Sequence, residues 1–174
     1  MNLNDIKLEL TNWINNYLDI PSDYYQGLKP CPFAKRAWAE NKVEIKLGDI
    51  EVVEDELKNW DDSYDLILIV YDPEEWDAEE YTEKRNDEIA SKDLNMMAFA
   101  PTPDQLDDPV LEEEDWGVII NDYDYGLIFI QRLKNLNKAS EILEKSGYYK
   151  NVSKKFSAYI NKRRSLTCAD QRKK

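Results

Sequence analysis

The residue types and spacing best suited to chemistry lie around Cys31, in the segment 27–38. Pro32 fits the first position of a helix, where a missing N–H costs nothing, so we predict a short helix over about 32–40. A thiol at that position faces unpaired N–H groups and the positive end of the helix dipole, both of which favour the thiolate. The nearest cations in the sequence are Lys29, Lys35 and Arg36. We therefore predict a lowered pKa for Cys31, with Cys31, Lys35 and Arg36 as candidate catalytic residues.

A packed structural cysteine is the alternative interpretation of Cys31, because free cysteines are often buried like small apolar residues. The other cysteine, Cys168, lies in a basic stretch near the C-terminus. Two cysteines so far apart do not form a disulfide framework. Cys168 would act on an oxidised Cys31 only if the C-terminal stretch folded back over the body.

The block Cys31-Pro-Phe-Ala-Lys-Arg36 resembles segments of two groups of proteins. It is similar to the active-site turn of glutaredoxins and thioredoxins, which usually carry a second cysteine where this chain has Ala34. It is also similar to a block in an uncharacterised bacterial and phage family of small proteins, where a strand, a helix and a second strand follow. A Phe-His-Pro segment of that family corresponds to residues 99–101, with Ala100 in place of the histidine. The second resemblance implies the layout of about residues 25–101 and no activity.

Tyrosines in predicted loops form a second group of candidates. Tyr24 and Tyr25 precede the cysteine block, and Tyr123 and Tyr125 lie in the predicted turn 121–126. A phenol offers an apolar ring and a hydrogen-bonding hydroxyl, so these four are candidate ligand-binding residues, with ordinary core packing as the alternative. The acids of the same turn lack the spacing of a calcium loop. We predict no metal site and no cofactor.

The absence of histidine excludes several classes of site. A Ser-His-Asp or Cys-His catalytic group cannot form, and neither can a histidine-ligated zinc, haem or non-haem iron site. The motifs of phosphate-binding loops, dinucleotide-binding turns and nucleophile elbows are also missing, and the chain has only five glycines. A chain rich in Asn, Lys, Ile and Tyr is typical of an AT-rich genome, and this bias explains the missing histidine without selection.

Charge is distributed unevenly along the 174 residues. Residues 1–150 hold 15 basic and 35 acidic side chains, a net charge of −20, whereas residues 151–174 hold eight basic and one acidic, a net charge of +7. An acidic body repels phosphate, so direct nucleic-acid binding by the body is not expected. The longest apolar run, residues 66–70, is far shorter than a bilayer span. We expect a cytoplasmic protein with a protein partner, no membrane contact and no signal peptide; the oligomeric state is open.

Hydrophobic periodicity predicts alternating helices and strands through the first hundred residues. Helices are predicted over about 3–18, 32–40, 50–60, 74–92, from 127 to 145, and 151–163; strands are predicted over 43–47, 65–71, 95–100 and 117–120, with a loop over 101–116. This pattern predicts an α/β fold with one small sheet of three to four strands, packed helices and a mainly helical C-terminal third. We expect a single globular domain over 1–164 and a basic, disordered tail over 165–174.

Three functions are compatible with these features. The first is a small acidic binding or accessory protein without catalytic activity, and it requires nothing unusual of any residue. The second is a single-thiol redox or nucleophilic protein that uses Cys31. The third is an acidic decoy in which carboxylates imitate the phosphates of a nucleic acid. A buried Cys31 with no cleft beside it would favour the first function.

Overall fold

A computed structural model describes residues 2–99 and 125–171, with backbone only for 167–171. The helices are α1 (Leu3–Trp13), α2 (Ala34–Ala39), α3 (Ile50–Asn59), α4 (Ala78–Ile89), α5 (Leu133–Lys145) and α6 (Lys154–Gln171). The strands are β1 (Val43–Leu47), β2 (Leu66–Tyr71), β3 (Leu94–Phe99) and β4 (Gly126–Arg132). A π-helical turn over Ile14–Leu18 extends α1, and 3₁₀ turns occupy Asp23–Tyr25, Ala90–Lys92 and Tyr148–Lys150. The chain is therefore an α/β protein, as the sequence pattern predicts.

The four strands form one mixed sheet in the order β1-β2-β4-β3. β1 and β2 are parallel, while β4 is antiparallel to both of its neighbours, β2 and β3. The three strands of the first hundred residues therefore all run in the same direction. The last strand in the sequence enters between β2 and β3, so a central position of the sheet is filled by the strand that comes latest in the chain.

The two faces of the sheet are covered by different helices. The alternate residues Ile67, Ile69 and Tyr71 of β2 pack with α3 and α4. Leu68 and Val70 point to the other face, where α1, the π-helical turn and α2 lie. The crossovers β1-α3-β2 and β2-α4-β3 run the same way across the sheet, and crossovers of one hand then place both helices on one face. The sheet is thus the middle of three layers.

The C-terminal helices lie beside β3 and β4. α5 begins directly after β4, and Tyr159 of α6 accepts a hydrogen bond from Nδ2 of Asn95 in β3 at 3.4 Å. Asn95 is on the same strand face as Phe99, so α6 packs on the face that α1 covers. α5 and α6 are joined by the guanidinium of buried Arg163, which donates to Oδ1 of Asn137 at 3.0 Å.

The structure corrects three predicted elements. Residues 127–132 are strand β4 instead of the first turns of a helix; α5 begins at Leu133. α4 begins after Asp77, whose side chain accepts from the N–H of Glu80 at 2.9 Å, and not after Asp72. α6 extends to Gln171, eight residues beyond the predicted end, and includes most of the segment predicted to be a disordered tail. The predicted loop 101–116 and strand 117–120 lie outside the described residues.

Candidate functional site

Cys31 lies in a bend that precedes α2, not in the first turn of the helix. α2 begins at Ala34, three residues later than Cys31, and spans six residues. The N–H of Cys31 donates to the carbonyl of Leu18 at 3.2 Å, and its own carbonyl accepts from Ala34 N–H at 3.3 Å. These bonds fix the cysteine against the end of the π-helical turn, where it packs on the apolar core under α1.

The predicted lowering of the Cys31 pKa is wrong. Burial raises the pKa of the thiol, because removal from water disfavours the thiolate. Hydrogen bonds from the backbone N–H groups of Phe33 and Ala34 oppose this rise, as expected at the approach to a helix, but burial is the larger effect. The shift is therefore opposite in direction to the predicted one, at a thiol that is partly buried against the core.

The cations predicted to stabilise the thiolate are paired with carboxylates. Lys29 Nζ lies 2.5 Å from Asp19 Oδ1, and Lys35 Nζ lies 2.7 Å from Asp19 Oδ2. Hydrogen bonds from both ammonium groups lower the pKa of Asp19. Arg36 is exposed, with its Nε 3.9 Å from Glu40 Oε2. The positive charge of the cysteine block thus serves mainly to hold the block to the end of the first helix.

The four candidate tyrosines are not gathered into one exposed surface. Tyr25 is 1% exposed and stacks on Tyr148 with ring centroids 4.5 Å apart. Tyr125 is buried as well, and its hydroxyl donates to Glu9 Oε2 at 2.8 Å. Tyr24 is half-buried and donates to the carbonyl of Asn151 at 3.0 Å. Tyr123 lies outside the described residues, as does the side chain of Cys168.

Sequence reasoning missed two residues that organise this region, Asp19 and Tyr148. The hydroxyl of Tyr148 donates to the carbonyl of Pro30, which directly precedes Cys31. Burial, together with the charges that Tyr25 and Cys31 can carry, raises the pKa of Tyr148. No local signal identifies either residue. Asp19 is 10 and 16 positions from the two lysines that it binds, and Tyr148 is 118 positions from Pro30, so the fold alone makes them neighbours.

The described part of the chain contains no cluster of metal-binding side chains. Within residues 2–99 and 125–166, no three His, Cys, Asp or Glu side chains are placed to hold a metal ion. In the same part of the chain, no helix is both long and apolar enough to cross a bilayer. No family model, curated protein or solved structure matches the chain.

Charge is segregated between the layers of the molecule. Residues 2–48 hold six acidic and six basic side chains, residues 49–92 hold 17 acidic and four basic, and residues 132–166 hold two acidic and ten basic. The second group contains α3, α4, the uncharged strand β2 between them and the turns that join these elements; we call it the acidic layer. Thirteen of its 17 acids are exposed. One side of the sheet therefore carries a strongly negative surface.

One carboxylate links the two helices of the acidic layer, which also share an apolar core. Glu54 of α3 accepts from Nε and Nη2 of Arg85 at 2.8 and 2.9 Å, and from the hydroxyl of Tyr81. These donors lower the pKa of Glu54, whereas burial and the carboxylate raise the pKa of Tyr81 to about 12. The pair fixes α4 relative to α3, so the exposed acids of the two helices keep fixed relative positions.

Proposed function

We propose that the chain is a small, cytoplasmic binding or accessory protein without catalytic chemistry, and that it uses the acidic layer to bind a basic protein surface. The observation that carries the proposal is the concentration of net charge −13 in residues 49–92, whose two helices are linked by the Glu54–Arg85 pair. Opposite charge on a partner would raise the rate of encounter and select against acidic surfaces.

The geometry at Cys31 supports this choice over a single-thiol enzyme. A thiol nucleophile needs a substantial thiolate fraction near neutral pH, which a lowered pKa normally provides. Here burial raises the pKa, and the two lysines of the block are bound to Asp19. The resemblance of the block to the thioredoxin and glutaredoxin turn is thus a likeness of sequence more than of chemistry.

The test compares two variants that have the same net charge. One replaces three exposed acids of the acidic layer, Glu51→Gln, Glu75→Gln and Asp87→Asn; the control replaces three exposed acids outside it, Asp5→Asn, Asp23→Asn and Glu40→Gln. Calorimetric titration with an oligolysine peptide measures the affinity of each chain. We expect weaker binding for the first variant than for the control, and binding of the intact chain that weakens as salt increases.

Equal losses in the two variants would contradict the proposal, because net charge alone would then explain the affinity. The acidic decoy is a more specific form of the same proposal, in which the basic partner is a nucleic-acid-binding protein. Competition by a DNA duplex for a basic DNA-binding domain separates the two forms. If the chain is a decoy, the duplex displaces it from the domain. If the chain binds elsewhere on the domain, it stays bound when the duplex is added.

A further inference from the structure

The two edges of the sheet differ in how their backbone groups are satisfied. β3 forms one edge, and there the side chain of Asn86 takes the place of a further strand. Its Nδ2 donates to the carbonyl of Met96 at 2.9 Å, and its Oδ1 accepts from the N–H of Met96 at 2.8 Å. One side chain therefore closes the middle of this edge, as natural sheets commonly do to prevent pairing with another chain.

β1 forms the other edge, and no strand within residues 2–99 and 125–171 pairs with its outer side. The carbonyl of Lys42 accepts from the N–H of Leu66 at 3.2 Å, and the N–H of Gly48 donates to the carbonyl of Val70 at 3.1 Å. Alternate residues of a parallel strand bond to the same neighbour, so Glu44 and Lys46 also bond to β2. The backbone groups of the odd-numbered residues, Val43, Ile45 and Leu47, then point away from the sheet. Among the described residues, none of these groups has a hydrogen-bond partner.

The side chains of β1 are complementary to a second copy of the strand. When two such strands run antiparallel with Ile45 opposite Ile45, Glu44 of each lies opposite Lys46 of the other. The outward N–H and C=O groups of Val43, Ile45 and Leu47 then form the hydrogen-bonded pairs. Glu44 and Lys46 occupy the non-hydrogen-bonded positions, where side chains approach most closely. The directions of the backbone hydrogen-bonding groups and the pattern of side-chain charges therefore favour the same register, with Ile45 opposite Ile45.

We propose that β1 pairs antiparallel with β1 of a second copy about a two-fold axis at Ile45, which joins the two four-stranded sheets into one. A lysine on an edge strand normally opposes pairing with a foreign strand. Lys46 lies near Glu56 and, at 3.6 Å, Glu44 of its own chain, and in this register Glu44 of the second copy adds a carboxylate opposite it. A parallel arrangement in register places Glu44 against Glu44 and is disfavoured by repulsion. Leu47, 42% exposed, gains an apolar neighbour in Val43 of the second copy.

Charge exchange between chains tests this interface. Glu44→Lys places two lysine pairs across the axis, and Lys46→Glu places two glutamate pairs there, so each variant alone should dimerise with a dissociation constant raised about tenfold or more. An equimolar mixture of the two variants restores opposite charges at both positions. We expect the intact chain to sediment as a dimer of 20.5 kDa subunits at about 0.15 M salt, where repulsion between acidic bodies is screened. The mixture should form a heterodimer.

Folding defects cannot produce the result expected from the mixture, because neither unfolded chain would recover on mixing. Lys46 also contacts Glu56 of its own chain, so circular dichroism of each variant checks that the fold is retained. Hydrogen exchange gives an independent measurement on the intact chain: amides of Val43, Ile45 and Leu47 should become unprotected on dilution. A chain that stays monomeric at every concentration, or a dimer that neither reversal weakens, overturns the proposal.

Discussion

At the scale of single residues, Cys31 shows how burial can outweigh a position that favours the thiolate. Two backbone N–H groups face the sulfur, yet burial against the core under α1 raises the pKa. Asp19 adds to this result, since it binds the two lysines that would otherwise stabilise a negative sulfur. The same carboxylate holds the cysteine block to the end of the first helix, so a structural contact and a chemical effect have one cause.

We predict that the Cys31 thiol titrates above its value in the unfolded chain, which is about 8.5. Because folding raises the pKa, the thiol supports stability below that unfolded value, and the contribution is lost as pH rises through the folded pKa. Ultraviolet absorbance of the thiolate in a Cys168→Ser chain measures the midpoint, and the same chain in denaturant is the control. A folded midpoint below the denatured one would restore the thiol-enzyme hypothesis.

Gly126 is a residue whose identity is dictated by one close neighbour. It lies opposite Tyr71 in the β2–β4 ladder, and a Cβ at this position would be 2.1 Å from the Tyr71 ring. We expect Gly126→Ala to lower the free energy of unfolding by about 2 kcal/mol, because a buried ring must move. Gly27→Ala is the control: no atom lies within 4 Å, and the left-handed φ of 77° alone should cost about 1 kcal/mol. Denaturant titration that ranks the two the other way would refute this account.

At the scale of elements, sequence patterns located the three parallel strands within one residue of the observed ends and failed at β4. β1 alternates apolar and charged residues, and β2 is an apolar run bounded by polar turns; both patterns are specific to strands. β4 is buried on both faces, so its run of apolar residues merges with the helical spacing of α5. Only the pairing of β4 between β2 and β3 distinguishes the two interpretations, and that pairing is not local.

The candidate site was harder to predict than the fold, for a related reason. The cysteine block was found because its residues are consecutive, but the groups that decide its chemistry are distant in the sequence. Asp19 precedes Lys35 by 16 positions, and Tyr148 follows Pro30 by 118. Sequence spacing shows which charged residues lie near a cysteine in the chain. The pKa of its thiol depends on which of those residues are already paired with others and on how much water reaches the sulfur.

The closed edge of β3 gives a prediction at the same scale. Asn86→Ala removes both of its hydrogen bonds to Met96 and leaves the N–H of Met96 without a partner, whereas the carbonyl keeps the hydrogen bond from Nδ2 of Asn95 at 3.1 Å. We expect a loss of about 2 kcal/mol in the free energy of unfolding and faster hydrogen exchange at the Met96 amide. Asp87→Ala, at the exposed next position of α4, is the matched control. Unchanged exchange at Met96 would show that the edge is satisfied in another way.

At the scale of the whole molecule, charge follows the layers of the fold. The N-terminal 2–48 segment is neutral, the acidic layer carries −13, and residues 132–166 carry +8. Among the described residues, at least six of the 17 acids in the acidic layer have a basic neighbour: Arg85 binds Glu54 and Glu88, and Lys46, Arg132, Lys84 and Lys162 lie next to Glu56, Asp62, Glu80 and Glu83 respectively. Repulsion within one layer is therefore a general cost of the folded state, separate from the pairs that hold its helices together.

Salt should consequently stabilise the fold. Screening weakens the repulsion among exposed acids over distances beyond about 10 Å at 0.1 M, whereas the close Glu54–Arg85 pair is screened less. We expect the melting temperature to rise as sodium chloride increases from about 0.01 to 0.15 M, and to rise less in the Glu51→Gln, Glu75→Gln, Asp87→Asn variant. The Asp5→Asn, Asp23→Asn, Glu40→Gln variant should retain more of the effect, because its neutralised acids lie in the segment without net charge. Scanning calorimetry decides: a melting temperature that falls with salt would mean that ion pairs, and not repulsion within the acidic layer, dominate the electrostatics of folding.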